Sequence, residues 1–276
     1  MNPFTKQAFD FLDVDAFASP RRVRRPALRL ERGVSEALRG TRLGGSPFVA
    51  VGGSWPVIDG EALRFVAQWN LTELARVSTD VDVVRGAPGV VALFITGDPC
   101  CGPARAAVIF TPDGTPGVLA SPPRSGLTTK SLPLIAKATD ERDSEGEDFR
   151  GGEPRHKLGG FADWINHDPR MRAYFDSDLP TSGHAVVAAL EKAGVDVAEL
   201  KATRDFASAV RMIRADGGEP LVLGRASDDF DLLFQIDSDA EADTCWGDVG
   251  RLFVYAPTSD VQARRFDNVV VVGDCS

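Results

Sequence analysis

No run of apolar residues in this 276-residue chain approaches the roughly 18 that a membrane-crossing helix needs. The opening residues, Met1-Asn2-Pro3-Phe4-Thr5-Lys6, lack a basic segment followed by an apolar one, so no secretory leader is expected. Four cysteines are present without C-x-x-C spacing, which argues against a zinc ribbon or a disulfide framework. There is no His-Glu-x-x-His, no G-x-S-x-G, no phosphate-binding loop and no G-x-G-x-x-G. Metalloprotease, hydrolase-elbow and nucleotide-binding readings therefore lack their usual signatures. The three histidines, His156, His167 and His184, share no i, i+4 spacing. A Ser-His-Asp triad assembled in space leaves no such trace and stays open, so the catalytic residues are unknown. These absences point to a cytoplasmic protein with no expected cofactor, no metal and no membrane partner.

Positive charge is also in short supply. Lys plus Arg is 31 against 40 Asp plus Glu, a formal net charge of -9. That balance argues against nucleic acid as a partner, because non-specific binding needs cations on phosphates. The exception is Arg21, Arg22, Arg24, Arg25, Arg29, Arg32, Arg39 and Arg42, which lack the interleaved aromatics of a nucleic-acid surface. Acid concentrates between Asp140 and Glu153 and between Asp237 and Asp248.

What is present suits one folded domain over residues 1–276, 43% hydrophobic. Phe4, Ala8, Phe11, Leu12 and Asp15 fall at helical spacing before Ser19-Pro20. Strands are predicted near 26–31, 63–71, 89–96, 105–111, 221–223, 232–237, 251–256 and 269–272, from Val, Ile and Phe content punctuated by Gly and Pro. Residues 139–154 carry charge and glycine with few large apolar side chains, which predicts an exposed mobile linker. Helices are predicted over 183–193 and 204–214, and a short one near 258–265 with Ser259 and Gln262 at capping-box spacing.

One pattern occurs twice. The first copy runs Arg42-Leu43-Gly44-Gly45, then Trp55, Gln68-x-Asn70 and the strand from Gly89. The second runs Lys157-Leu158-Gly159-Gly160, then Trp164, Gln235-x-Asp237 and the strand from Gly250. Two copies fit a duplicated unit, about 26–111 and 155–276, related by a pseudo-twofold axis. Each Gly-Gly marks positive φ or a close backbone approach. Each Gln-x-Asn/Asp places two polar side chains on one strand face.

These elements resemble the YwqG-like family, a bacterial domain family of unknown function. The most specific part is Leu233 to Asp239 and Cys245-Trp246-Gly247-Asp248-Val249-Gly250-Arg251. Gly160-Phe161-Ala162 departs from the family's Gly-x-Pro. The resemblance implies an α+β fold of two pseudo-symmetric antiparallel sheet units, with helices inserted in the second. It carries over no catalytic residues. Some members look associated with toxin systems, which implies an immunity-type, non-enzymatic protein-binding role.

The acidic loop is the first candidate surface. Asp237, Asp239, Glu241 and Asp243 alternate and Asp248 follows, as oxygens do in a calcium loop, yet Ala242 stands where an EF-hand needs Gly. Asx-type turns or a basic protein partner are the competing readings. Trp246 either staples the loop to the core or stands exposed as a contact residue. In the alternative reading the chain is an enzyme or a small-ligand or cation binder, with Gln68, Asn70, Gln235 and Asp237 converging on a cleft between the repeats. Cys100-Cys101, poorly placed to bridge each other, are expected to be buried packing.

Overall fold

The computed structural model describes residues 24–34, 36–101, 104–142, 154–163 and 230–275. The elements expected at 4–17, 183–193, 204–214 and 221–223 lie outside the described residues, as do Trp164, His167, His184 and residues 143–153 of the expected linker. Among the described residues there are fourteen strands: β1 (Arg24–Arg32), β2 (Arg42–Leu43), β3 (Phe48–Ala50), β4 (Val57–Ile58), β5 (Glu61–Ala62), β6 (Arg64–Asn70), β7 (Gly89–Ile95), β8 (Ala106–Pro112), β9 (Gly117–Leu119), β10 (Leu132–Arg142), β11 (His156–Gly159), β12 (Phe230–Asp237), β13 (Arg251–Pro257) and β14 (Val270–Asp274). The helices among the described residues are α1 (Leu71–Ala75) and α2 (Thr258–Gln262).

Ten strands form one sheet in the order β14-β13-β12-β11-β1-β10-β2-β6-β7-β8, every neighbouring pair antiparallel. The α+β expectation of two sheet units with inserted helices is overturned. Strand takes 45% of the described residues and helix 6%, and the sheet is single and nearly closed. The physical reason is β1 and β10. They pair along the whole of β1. Each then joins a different half, β1 to β11 and β10 to β2. Two halves that could have been separate sheets are fused by main-chain hydrogen bonds. Thr139 to Arg142, expected in a linker, belongs to β10.

Alternation explains which face is which. On β1, Leu28 and Leu30 are buried while Arg29 and Glu31 face solvent. Leu134 on β10, Trp69 on β6, Phe234 on β12 and Val254 on β13 join them in the main core. Trp69 and Phe234 stack with ring centroids 3.5 Å apart and planes 2° from parallel. Four strands separate β6 from β12 in the sheet, so this contact requires the sheet to curl back on itself. Both strands bulge at the same place, between Phe65 and Ala67 and between Leu232 and Phe234. Bulges sharpen local twist and help that curl.

A second, smaller core lies on the other face: Leu63, Phe65, Ala92 and Phe94 under Trp55 and Ile58. The β4–β5 hairpin supplies that cover. Its turn residues Asp59 and Gly60 both have positive φ, 52° and 81°, as a two-residue hairpin demands. Asn70 ends β6 and starts α1, its side chain accepting from the Thr72 and Glu73 amides. The capping box expected at Ser259 is absent. α2 begins after Pro257 with no side-chain cap, which puts Ser259 inside the first turn, too late to serve as N-cap.

Candidate functional site

The two Gln-x-Asn/Asp pairs sit on β6 and β12, on the face away from the Trp69–Phe234 stack. Gln68 lies opposite Arg42 in register, and Gln235 lies opposite Lys157. After each basic-Leu pair the chain turns through two left-handed glycines: Gly44 and Gly45 at φ 55° and 71°, Gly159 and Gly160 at 67° and 71°. A Cβ on Gly44 would lie 2.3 Å from the Lys130 carbonyl oxygen, and one on Gly160 2.5 Å from a Glu141 carboxylate oxygen. Only glycine meets both demands, the backbone angle and the closeness.

The turn brings a segment back over each glutamine, and the glutamine clips it. Gln68 Oε1 accepts from the Phe48 amide at 2.8 Å and Nε2 donates to the Gly40 carbonyl at 2.8 Å. Gln235 Oε1 accepts from the Asp163 amide at 2.9 Å and Nε2 donates to the Arg155 carbonyl at 3.0 Å. In both cases the amide belongs to the third residue after the second glycine, and the carbonyl to the residue two before the base. The residue just before the base also repeats its role. Thr41 Oγ1 accepts from the Asn70 amide and His156 Nδ1 accepts from the Asp237 amide. Both glutamines are fully buried and share no partner. Gln68, Asn70, Gln235 and Asp237 therefore do not converge on one cleft. Each pair fastens its own loop, and Asn70 caps α1.

The second half adds charge. Lys157 Nζ reaches Glu141 Oε2 at 2.7 Å and Asp163 Oδ2 at 3.0 Å, with the lysine side chain 1% exposed. Arg251 Nε meets Asp237 Oδ2 at 3.1 Å, and its guanidinium also bonds the Asp163 carbonyl. Gln235 Nε2 donates as well to Asp163 Oδ2 and Asp237 Oδ1. Burial pushes the Asp237 carboxyl above its ordinary range, more than Arg251 and the Arg155 amide pull it down. Burial acts the same way on Asp163, but Lys157, Gln235 and Arg251 outweigh it, and that carboxyl is held below its ordinary range. Arg42, in the first half, is lowered to about 10 by burial, against the pull of Glu36. Glu141, Asp163 and Arg251 were not among the expected site residues. The signal for Asp163 was its place six residues after Lys157, the place Phe48 holds after Arg42.

The acidic loop divides in two. Asp239 is buried and caps its own turn, Oδ1 accepting from the Glu241 amide at 2.7 Å and the Ala242 amide at 3.3 Å. Its other oxygen faces His156 Nε2 at 3.2 Å. Because His156 Nδ1 accepts from a backbone amide, the ring proton stands on Nε2 and points at Asp239. The His156 hydrogen bond, with the two amides, holds the Asp239 carboxyl down at about 2 although burial opposes this. Trp246 is fully buried with the Arg64 guanidinium 4.8 Å over its ring, so it staples the loop and is not an exposed contact. Glu241, Asp243 and Asp248 remain at the surface. Glu241 pairs with Arg32 at 2.7 Å. Among the described residues no group of three or more His, Cys, Asp or Glu could hold a metal ion.

A family model described as a domain of unknown function, DUF1963, matches residues 41–275. The chain belongs to that family. No curated protein matches it. In this DUF1963 member both clip glutamines lie inside the matched residues, whereas β1, which fuses the two halves, precedes them. Among the described residues no helix is long and apolar enough to cross a membrane. Of the described arginines in the basic stretch, Arg29 meets Glu141 at 3.3 Å, Arg32 meets Glu241 at 2.7 Å and Arg39 meets Asp113 at 2.9 Å.

Proposed function

We propose that this chain is a protein-binding module of the YwqG-like branch of its family, with an internal duplication as its origin and a basic protein as its partner. The observation that carries the reading is the outer face of β3 and β9. Val49 lies opposite Val118, and the pairing continues through the Val51 amide to the Pro116 carbonyl. Period-two alternation puts Val49, Val51, Pro116 and Val118 on one side of this small ribbon. Val51 is 68% exposed and Val118 53%. Apolar side chains held in water on an ordered strand pair are what a protein partner covers. The net charge of -9, with Glu241, Asp243 and Asp248 at the surface, favours a partner of opposite sign. The immunity-type role is the concrete form that the resemblance suggests.

The test is affinity capture of the tagged chain from its own cells at low and high salt, beside two surface variants. These are V51D/V118D and E241K/D243K. A protein recovered in stoichiometric amount by the wild type, and lost with V51D/V118D, supports the reading. Its loss at high salt and with E241K/D243K supports the basic partner. A protein held equally by all three chains, or none at all, overturns it.

A further inference from the structure

Cys100, Cys101 and Cys275 come together beside the turn that carries Cys245. The loop after β7 carries Asp98, Cys100 and Cys101. Asp98 Oδ1 accepts from the Cys100 amide at 2.9 Å and Oδ2 accepts from the Gly247 amide at 3.0 Å, which ties that loop to the Cys245-Trp246-Gly247 turn. Cys275 follows directly on β14 and packs on the same turn. Two glycines open the space. A Cβ on Gly247 would lie 2.7 Å from Cys100 Cβ, 2.8 Å from Cys275 Sγ and 3.2 Å from Cys275 Cβ. A Cβ on Gly273 would lie 2.8 Å from Cys100 Sγ. The Cys100 and Cys275 thiols are within hydrogen-bonding reach of each other. The two Cβ atoms therefore lie within about 6 Å of each other, close to the span of about 3.5–4.5 Å that a disulfide requires. None of the four cysteines is in a disulfide here. Cys101 and Cys245 are exposed, which corrects the expectation of buried packing for Cys101.

We propose that Cys100 and Cys275 are a disulfide-forming site whose oxidant is a low-molecular-weight disulfide. One thiolate attacks the small disulfide, forming a mixed disulfide and releasing one small thiol. The second protein thiolate then attacks the protein sulfur and releases the other small thiol. The two cysteines lose two electrons and two protons, and the small disulfide becomes two thiols. The bond clamps the end of β14, one edge of the sheet, to the loop between β7 and β8 in the other half. Burial, and then Cys275, Asp98 and Asp274, push the Cys100 thiol up. Asp98 raises the exposed Cys101 as well. Exchange is therefore slow at neutral pH and quickens in alkali.

The full chain is incubated with oxidised glutathione at about pH 8.5, where more thiolate is present. The expected product is lighter by two hydrogen atoms and yields a peptide cross-linked through Cys100 and Cys275. Its Tm rises by roughly 5 °C or more, because the bond closes a long loop. Dithiothreitol reverses both changes. C101S/C245S keeps the cross-link and the rise, whereas C100S and C275S each lose both. Stable glutathione adducts without a cross-linked peptide overturn the proposal. So does an unchanged mass, or a cross-link that uses Cys101 or Cys245.

Discussion

Replacing Gln235 with Leu removes the clip and leaves the strand intact, because the two side chains are close in size. The Asp163 amide and the Arg155 carbonyl then lose their partner beneath the loop. An orphaned buried polar group costs about 1–3 kcal/mol. Two backbone groups, with one donor withdrawn from each of Asp163 and Asp237, give an expected loss of about 3–5 kcal/mol. Gln68→Leu orphans the Phe48 amide, leaves the Gly40 carbonyl to the longer Arg42 bond at 3.4 Å and removes an acceptor from Arg42, for about 2–4 kcal/mol. The two glutamines share no partner, so the double variant should lose the sum of the single losses to within about 0.5 kcal/mol. Urea unfolding reads all three, as a shift in midpoint at constant slope. A loss below about 1 kcal/mol in either single variant would refute the clip. Coupling above about 1 kcal/mol would mean that the two side chains meet in one site after all.

Two further outcomes follow from the charged half. Lys157→Met removes the buried cation shared by the Glu141 and Asp163 carboxylates, leaving Glu141 the half-exposed Arg29, and should cost about 3–5 kcal/mol in the same assay. Loss of less than about 1 kcal/mol would show that the pair is solvated. Asp239 has its folded pKa depressed to about 2, so its stabilisation is present above the ordinary carboxylate range near pH 4 and is lost as pH falls from there towards 2. Wild type should therefore exceed Asp239→Asn in stability at pH 6 by more than it does at pH 3, and a constant gap would contradict the His156 contact.

The strands that carry the clips were legible because their composition alternates and glycine or proline ends them. β6, β7, β8, β12 and β13 fall within two residues of the expected spans. The two Gly-Gly turns were legible for a related reason, since positive φ is a demand that glycine alone meets cheaply. β10 is not among the expected strands, and its end from Thr139 falls in the expected linker. Its Leu132 and Leu134 are buried in period two while Ile135 is exposed, but Asp140-Glu141-Arg142 read as solvated charge. Glu141 is in fact buried against Lys157, a residue of another strand. Charge in a sequence looks like surface until the partner across the sheet is known. The same blindness hid the cysteines, since the meeting of the β7 loop with the end of β14 is set by the curl of the sheet and by no spacing along the chain.

The two halves also show why a matched pattern can hold unlike chemistry. Asn70 ends β6 opposite Val90, and Asp237 ends β12 opposite Arg251. Phe48 donates its amide to Gln68, and Asp163 donates its amide to Gln235. Where the first half has a neutral residue in each pair, the second has an acid, and beside each acid a base is buried. A buried carboxylate without a cation costs several kcal/mol, so an acid at position 237 or 163 is tolerable only with Arg251 and Lys157 in place. The backbone geometry is common to both halves and the glutamine enforces it. The ion pairs are particular to the second half, and Asp163 among them directly precedes residues 164–229. Their effect is to hold Asp163, the last residue described before that segment, and Asp237, at the far end of β12, against the same strand pair.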